Sequence, residues 1–176
     1  MQSDPRLGSA LGLVGFLAAS FAAAGLGGFF TAESVRTWYK TIRKPSWNPP
    51  NWLFGPVWTV LYAMMAVSAW LVQREARANP AVARSGAFAL GAWVHQLTLN
   101  VTWSWVFFGR RQLGPGFGVL VALWLAIVET IWLSSRVSKK AALLLSPYLA
   151  WTTFAGILNF RVWQLNRNTD PSLRSK

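Results

Sequence analysis

Three sets of residues in this chain have the types and spacing to hold a flat apolar molecule. Gln96, Asn100, Trp103 and Phe107 follow the i, i+4, i+7, i+11 spacing of one helix face. Trp58, Tyr62 and Met65 share a second face, and Pro147, Trp151, Ala155 and Asn159 a third. The rings offer flat π faces and the amides offer donors and acceptors, a combination suited to a large planar ligand. The plainer reading is that the amides hydrogen-bond between helices while the rings fill a core. Conventional acid/base and nucleophile sets are missing: the chain has no cysteine and one histidine, His95, so thiolate ligation and cysteine nucleophiles are excluded.

The elements that must position these stripes follow from composition. Of 176 residues, 53% are hydrophobic and 12% charged, against about 25% charged in ordinary soluble domains. The charges are also sorted, with Lys and Arg gathered in short connections between long apolar blocks, so lipid is the expected solvent. A net charge of +12 placed at the ends of apolar blocks points to anionic headgroups and not to nucleic acid, whose binders cluster cations on one face of a polar domain.

Five blocks, 7–30, 52–72, 85–109, 113–135 and 141–160, are each long enough to cross a bilayer as a helix. The polarity alternation of barrel strands is absent, so the expected fold is an all-α integral membrane protein with a five-helix transmembrane bundle, followed by a polar tail over 167–176. The first block is too long for the apolar region of a cleaved signal peptide and is read as a retained span. The connection from Thr31 to Asn51 is the long one, rich in Trp, Tyr and Pro, and is expected to fold back over the bundle as a lid. With five spans, ten cations fall on the side of that loop and the C-terminus and seven on the other, which predicts a cytoplasmic first loop and C-terminus.

Twelve tryptophans are more than an interfacial belt requires. A belt accounts for Trp38, Trp47, Trp52 and Trp163 at span ends; it does not account for Trp58, Trp103 or Trp151 inside spans. The stretches "WYKTIRKPSWNPPNWLFGPVWTVLYAMM", "QLTLNVTWSWVFFG" and "LLSPYLAWTTFAGILNFRVWQLN" resemble the TspO family, the tryptophan-rich sensory proteins that include the mitochondrial translocator protein. The resemblance runs in order from Trp38 to Asn166.

It implies a five-helix membrane bundle that binds porphyrins, notably protoporphyrin IX, with no obligatory cofactor and no metal. Animal members also bind cholesterol and benzodiazepine-type ligands. The implied ligand-binding positions are Trp38, Trp47, Trp58, Tyr62, Asn100, Trp103, Trp151 and Ala155, in a pocket that the first loop closes. Some bacterial members degrade protoporphyrin in light, and the two tryptophans implicated match Trp58 and Trp151. Four roles therefore stand: sensing, scavenging or carrying porphyrin; light-dependent breakdown in the same pocket; transport of porphyrin or sterol; and a structural scaffold without ligand. A bacterial membrane is the location expected from the family's range and the short N-terminal segment.

Departures from the family pattern bear on partners. His95 continues the small-residue steps of Ala87 and Gly91, where a homodimer seam runs in some relatives, and its bulk puts that seam in doubt. It is read as a packing residue and not as a haem ligand. Glu129 is expected to face the bundle, neutral or paired, and Gly8, Gly12, Gly15 and Ala19 to provide close-packing steps in the first span. Phe160 stands where the sterol-recognition pattern of animal members has tyrosine, which weakens the case for a sterol partner.

Overall fold

The computed structural model describes residues 5–167; all of the expected polar tail except Arg167 lies outside the described residues. Those residues are mostly helical and contain no strand. The helices are α1 (Pro5–Arg36), α2 (Trp38–Thr41), α3 (Asn51–Ala78), α4 (Ala83–Ser104), α5 (Leu113–Ser135), α6 (Lys139–Leu144) and α7 (Ser146–Asn166). A 3-10 turn at Pro80–Val82 precedes α4, and a π-turn at Trp105–Gly109 follows it.

Among the described residues, four helical stretches are long and apolar enough to cross a membrane: Gly8–Arg36, Asn51–Ala78, Leu113–Ser135 and Lys139–Asn166, the last formed by α6 and α7 together. α4 is absent from this apolar set because it carries His95, Gln96, Thr98, Asn100, Thr102 and Ser104 within 22 residues. Multi-pass integration in a membrane follows from the four stretches alone.

Helix ends are set by local chemistry more than by hydropathy. The apolar run of the first block stops near Phe30, yet α1 stays helical to Arg36. Thr31 Oγ1 donates to the Gly27 carbonyl at 2.7 Å and Arg36 Nε to Ala32 at 3.1 Å, which holds the turn beyond the apolar run. The connection to α3 is therefore 37–50, shorter than the sequence implied, with one turn of helix in it. The block expected at 141–160 is broken at Leu145, because Pro147 sits in the first turn of α7, where its missing N–H costs nothing. Ser138 caps α6, its Oγ accepting from the Ala141 N–H at 3.4 Å.

The core lies among α3, α4, α5 and α7, with Met65, Leu123, Ile127, Tyr148 and Val162 fully buried. α1 packs along α3 and α4. Small residues allow close approach where bulky ones oppose them: a Cβ at Gly116 would lie 3.1 Å from the Phe107 ring. In α1 only Gly12 of the expected glycine steps meets a neighbour, Gln73 and Trp70 of α3, while Cβ positions at Gly8 and Gly15 meet nothing within 4 Å. Glu129 is exposed on the outer face of α5 and does not face the bundle. It lies two turns from the helix end, close enough for a long side chain to reach towards the headgroups. His95 is likewise exposed, on the outer face of α4 with Ala87 and Gly91.

Candidate functional site

The amides of the stripes find partners on other helices. Tyr62 Oη donates to Asn100 Oδ1 at 2.6 Å, and Asn100 Nδ2 donates to Tyr148 Oη at 2.9 Å, so α3, α4 and α7 meet in one buried network. Trp103 Nε1 donates to Asn159 Oδ1 at 3.3 Å, and Asn159 Nδ2 to the Leu113 carbonyl at 3.0 Å. Gln96 Nε2 reaches Met65 Sδ at 3.6 Å, with its carbonyl oxygen buried and unpartnered. The glue reading thus holds for all three amides, but Asn100 does more, because it also lines a cavity.

That cavity has a volume of about 580 Å³, within the range of about 300–1,000 Å³ usual for small-molecule sites. Its walls come from the second half of α1, the first turns of α3 and the last turn of α4 with the π-turn, so it occupies the half of the molecule next to the 37–50 segment. Trp58, Tyr62, Asn100 and Trp103 all line it. Trp58 is the centre of its aromatic wall, with ring centroids 5.7 Å from Tyr62, 6.4 Å from Trp103 and 6.1 Å from Tyr148. Its open side lies between α1 and α3, where Gly28, Ala32, Gly55 and Thr59 are exposed.

The other four sequence-derived positions lie elsewhere. Trp38 is half-buried against Phe107, centroids 5.9 Å apart, and does not face the cavity. Trp47 is exposed and packs on Phe154 at 5.9 Å. Trp151 lines a separate groove with Pro56, Val57, Leu61 and Phe154, and Ala155 is buried without lining either space. Phe54 connects the two regions: its ring is 5.8 Å from Trp151, and it also lines the main cavity. Phe160 lies on a third surface, a groove between α5 and α7 with Phe117, Trp124 and Ile157.

Several lining residues were missed from sequence, among them Asn51, Phe54, Thr59, Ser104 and two groups whose placement has a clear physical reason. Ala24, Gly27, Gly28, Thr31, Ala32 and Val35 of α1 form a wall at i, i+3, i+4, i+7, i+8, i+11. That spacing is legible, but small residues carry no chemistry to draw attention to it. Phe108 lines the cavity because the π-turn widens the backbone: Arg110 N–H bonds back to the Trp105 carbonyl at 2.7 Å, and Phe107 and Phe108 both meet Tyr39.

The 37–50 segment is held down at several points. Tyr39 is buried, lines the cavity, and donates to Asn48 Oδ1 at 2.9 Å. Lys44 Nζ donates to the carbonyls of Tyr39 and Ile42 and lies 4.8 Å from the centre of the Tyr39 ring. Asn166, at the end of α7, accepts from Arg43 N–H at 2.9 Å and donates to its carbonyl at 2.8 Å. Burial pushes the Tyr39 phenol up to about 12 and holds the Lys44 ammonium below its ordinary value. Among the described residues no group of His, Cys, Asp and Glu side chains is placed to hold a metal.

Fold and cavity together define a helical multi-pass membrane protein with an aromatic-walled pocket in one half of its thickness. The TspO/MBR family profile matches residues 16–164, and the chain belongs to that family. It is 44% identical over 141 residues to the tryptophan-rich protein TspO of Chlorobaculum tepidum, covering 80% of this chain and 86% of the relative. It is 41% identical over 138 residues to protein CrtK of Rhodobacter capsulatus, covering 78% and 84%. The translocator protein of Homo sapiens is 40% identical over 138 residues, covering 78% and 79%.

Proposed function

We propose that the cavity binds a tetrapyrrole of the protoporphyrin IX type and that the protein acts in porphyrin sensing, scavenging or transport. The observation that carries this reading is the pairing of flat aromatic walls, Phe54, Trp58, Trp103 and Phe108, with the polar base of Tyr62, Asn100 and Ser104 in one cavity of about 580 Å³. The names of its relatives, translocator protein and tryptophan-rich sensory protein, agree with transport and sensing. In this reading α4 is the fifth span, its polar residues tolerated because Gln96 and Asn100 bond within the bundle. The 37–50 segment serves as the lid, on the cytoplasmic side by the excess of cations there.

The test is a titration of purified protein in neutral detergent with protoporphyrin IX in the dark, followed by tryptophan fluorescence. Saturable quenching at micromolar pigment is expected, reduced in Trp58→Phe; the absence of quenching there would overturn the reading.

Light-dependent porphyrin breakdown is a second reading, favoured by the placement of Trp58 on the cavity wall within 6.4 Å of Trp103. An excited porphyrin can oxidise a stacked indole or pass its excitation to oxygen. Trp58→Phe should then slow photoproduct formation more than Trp151→Phe, since Trp151 lines a different groove. Equal photoproduct yields in wild type and both variants would remove this reading while leaving binding intact.

A further inference from the structure

The cavity has one charged lining residue among the described residues, Arg36. Most other polar groups on its wall are already engaged. Thr31 Oγ1 donates to Gly27, Thr59 Oγ1 to Gly55, Tyr39 Oη to Asn48 and Tyr62 Oη to Asn100, at 2.6 to 2.9 Å. Arg36 spends only Nε, on the Ala32 carbonyl of its own helix, which leaves both terminal NH₂ groups for a ligand. No carboxylate among the described residues pairs with it; Glu33, one turn earlier, does not line the cavity.

The cations that the sequence offered for an acidic ligand are placed differently. Lys40 and Arg43 are exposed, as Arg36 is, but lie off the cavity wall, and Lys44 is committed to two carbonyls and the Tyr39 ring. Arg36 ends α1, at the same end of the cavity as Asn51, which opens α3 and brings an amide to the wall. A ligand lying with its flat body against Phe54, Trp58 and Phe108 has this end for its polar edge.

We propose that Arg36 binds a carboxylate of the ligand, so that the site selects aromatic amphiphiles bearing a free acid over their esters. This rests on the reading that the cavity binds a tetrapyrrole, and it narrows the class to porphyrins with ionised propionates. The guanidinium suits the task because its two terminal nitrogens match both carboxylate oxygens, whereas an ammonium offers a point charge. A cation in the last turn of a helix has two ordinary roles, complementing the helix dipole and meeting lipid headgroups. Neither role distinguishes an acid from its ester.

The experiment uses the full chain in neutral detergent, where no lipid phosphate competes, and titrates it in the dark with protoporphyrin IX and with its dimethyl ester. Wild type should bind the diacid about tenfold tighter than it binds the ester, the scale of one charge-assisted contact. Arg36→Gln should lose that preference by weakening the diacid and leaving the ester unchanged, and Arg36→Lys should keep part of it. Comparing both ligands in both proteins cancels their different partition into micelles. Equal loss for both ligands, or an unchanged preference in Arg36→Gln, overturns the assignment and leaves tetrapyrrole binding standing. If wild type binds neither ligand, the broader reading fails with it.

Discussion

Tyr62 on α3 and Asn100 on α4 are joined by a 2.6 Å hydrogen bond that serves as both a helix-to-helix tie and the polar base of the cavity. The same asparagine holds Tyr148 of α7 through its amide nitrogen, so a single side chain sets the spacing of three helices around the site. Tyr62→Phe removes the donor and leaves Asn100 Oδ1 without it in a buried setting. The expected cost is about 1 kcal/mol, since interhelical hydrogen bonds in membranes average about 0.6 and an orphaned acceptor adds to that. Unfolding in mixed micelles measures it, and a variant as stable as wild type would contradict the role given to this bond.

Gly28→Leu should separate binding from folding. The glycine lines the cavity, its φ is ordinary, and a Cβ there meets nothing within 4 Å. Leucine also favours the helix by up to about 1 kcal/mol over glycine. The midpoint of thermal unfolding should hold or rise, while the added side chain narrows the cavity and weakens porphyrin binding by about tenfold or more. Unchanged affinity would place the ligand elsewhere.

Asn166→Ala tests how the 37–50 segment is held. The variant loses both bonds to the Arg43 backbone and one to the Val162 carbonyl. A loss of about 1–2 kcal/mol is expected, felt mainly as faster amide exchange in residues 38–48. Exchange that rises evenly over α7 instead would show that Asn166 serves its own helix and not the loop.

The pH dependence of the loop follows from Tyr39 and Lys44. Burial raises the phenol from 10.0 to about 12, so the folded loop holds that proton more tightly than the unfolded chain. Its stabilising contribution is complete below pH 10 and declines as pH rises towards 12. Lys44 has the opposite sign: its lowered value means that stability rises with pH between that value and 10.5. It titrates before the phenol, so the cation over the Tyr39 ring is lost first. The tyrosinate absorbance difference between wild type and Tyr39→Phe should titrate near 12; a midpoint near 10 would contradict burial of this ring.

Much of the site was legible because its chemistry lies on helix faces. Gln96, Asn100, Trp103 and Phe107 are all buried on one side of α4 and the π-turn, as their spacing required. The spacing gives a face but not the neighbour it meets, which is why Trp151 and Trp58, on faces of similar composition, line different spaces. The α1 wall went unread because glycine and alanine contribute to a cavity by what they omit. Glu129 was placed inward on the cost of a charge in lipid, and its outward position reflects a site near the helix end where that cost is small.

The π-turn at Trp105–Gly109 has a property that substitution cannot reach. Its contribution is a length: one residue more per turn than the helix before it. Removing Val106 would let the turn rewind as ordinary α-helix: four residues at about 100° each span the arc that five span in the wider turn, so the chain from Arg110 to α5 would keep its place while Phe107 and Phe108 shift against Tyr39. At this corner of the chain a one-residue deletion should therefore leave the bundle in register and be felt in the cavity wall, where Phe108 meets Tyr39.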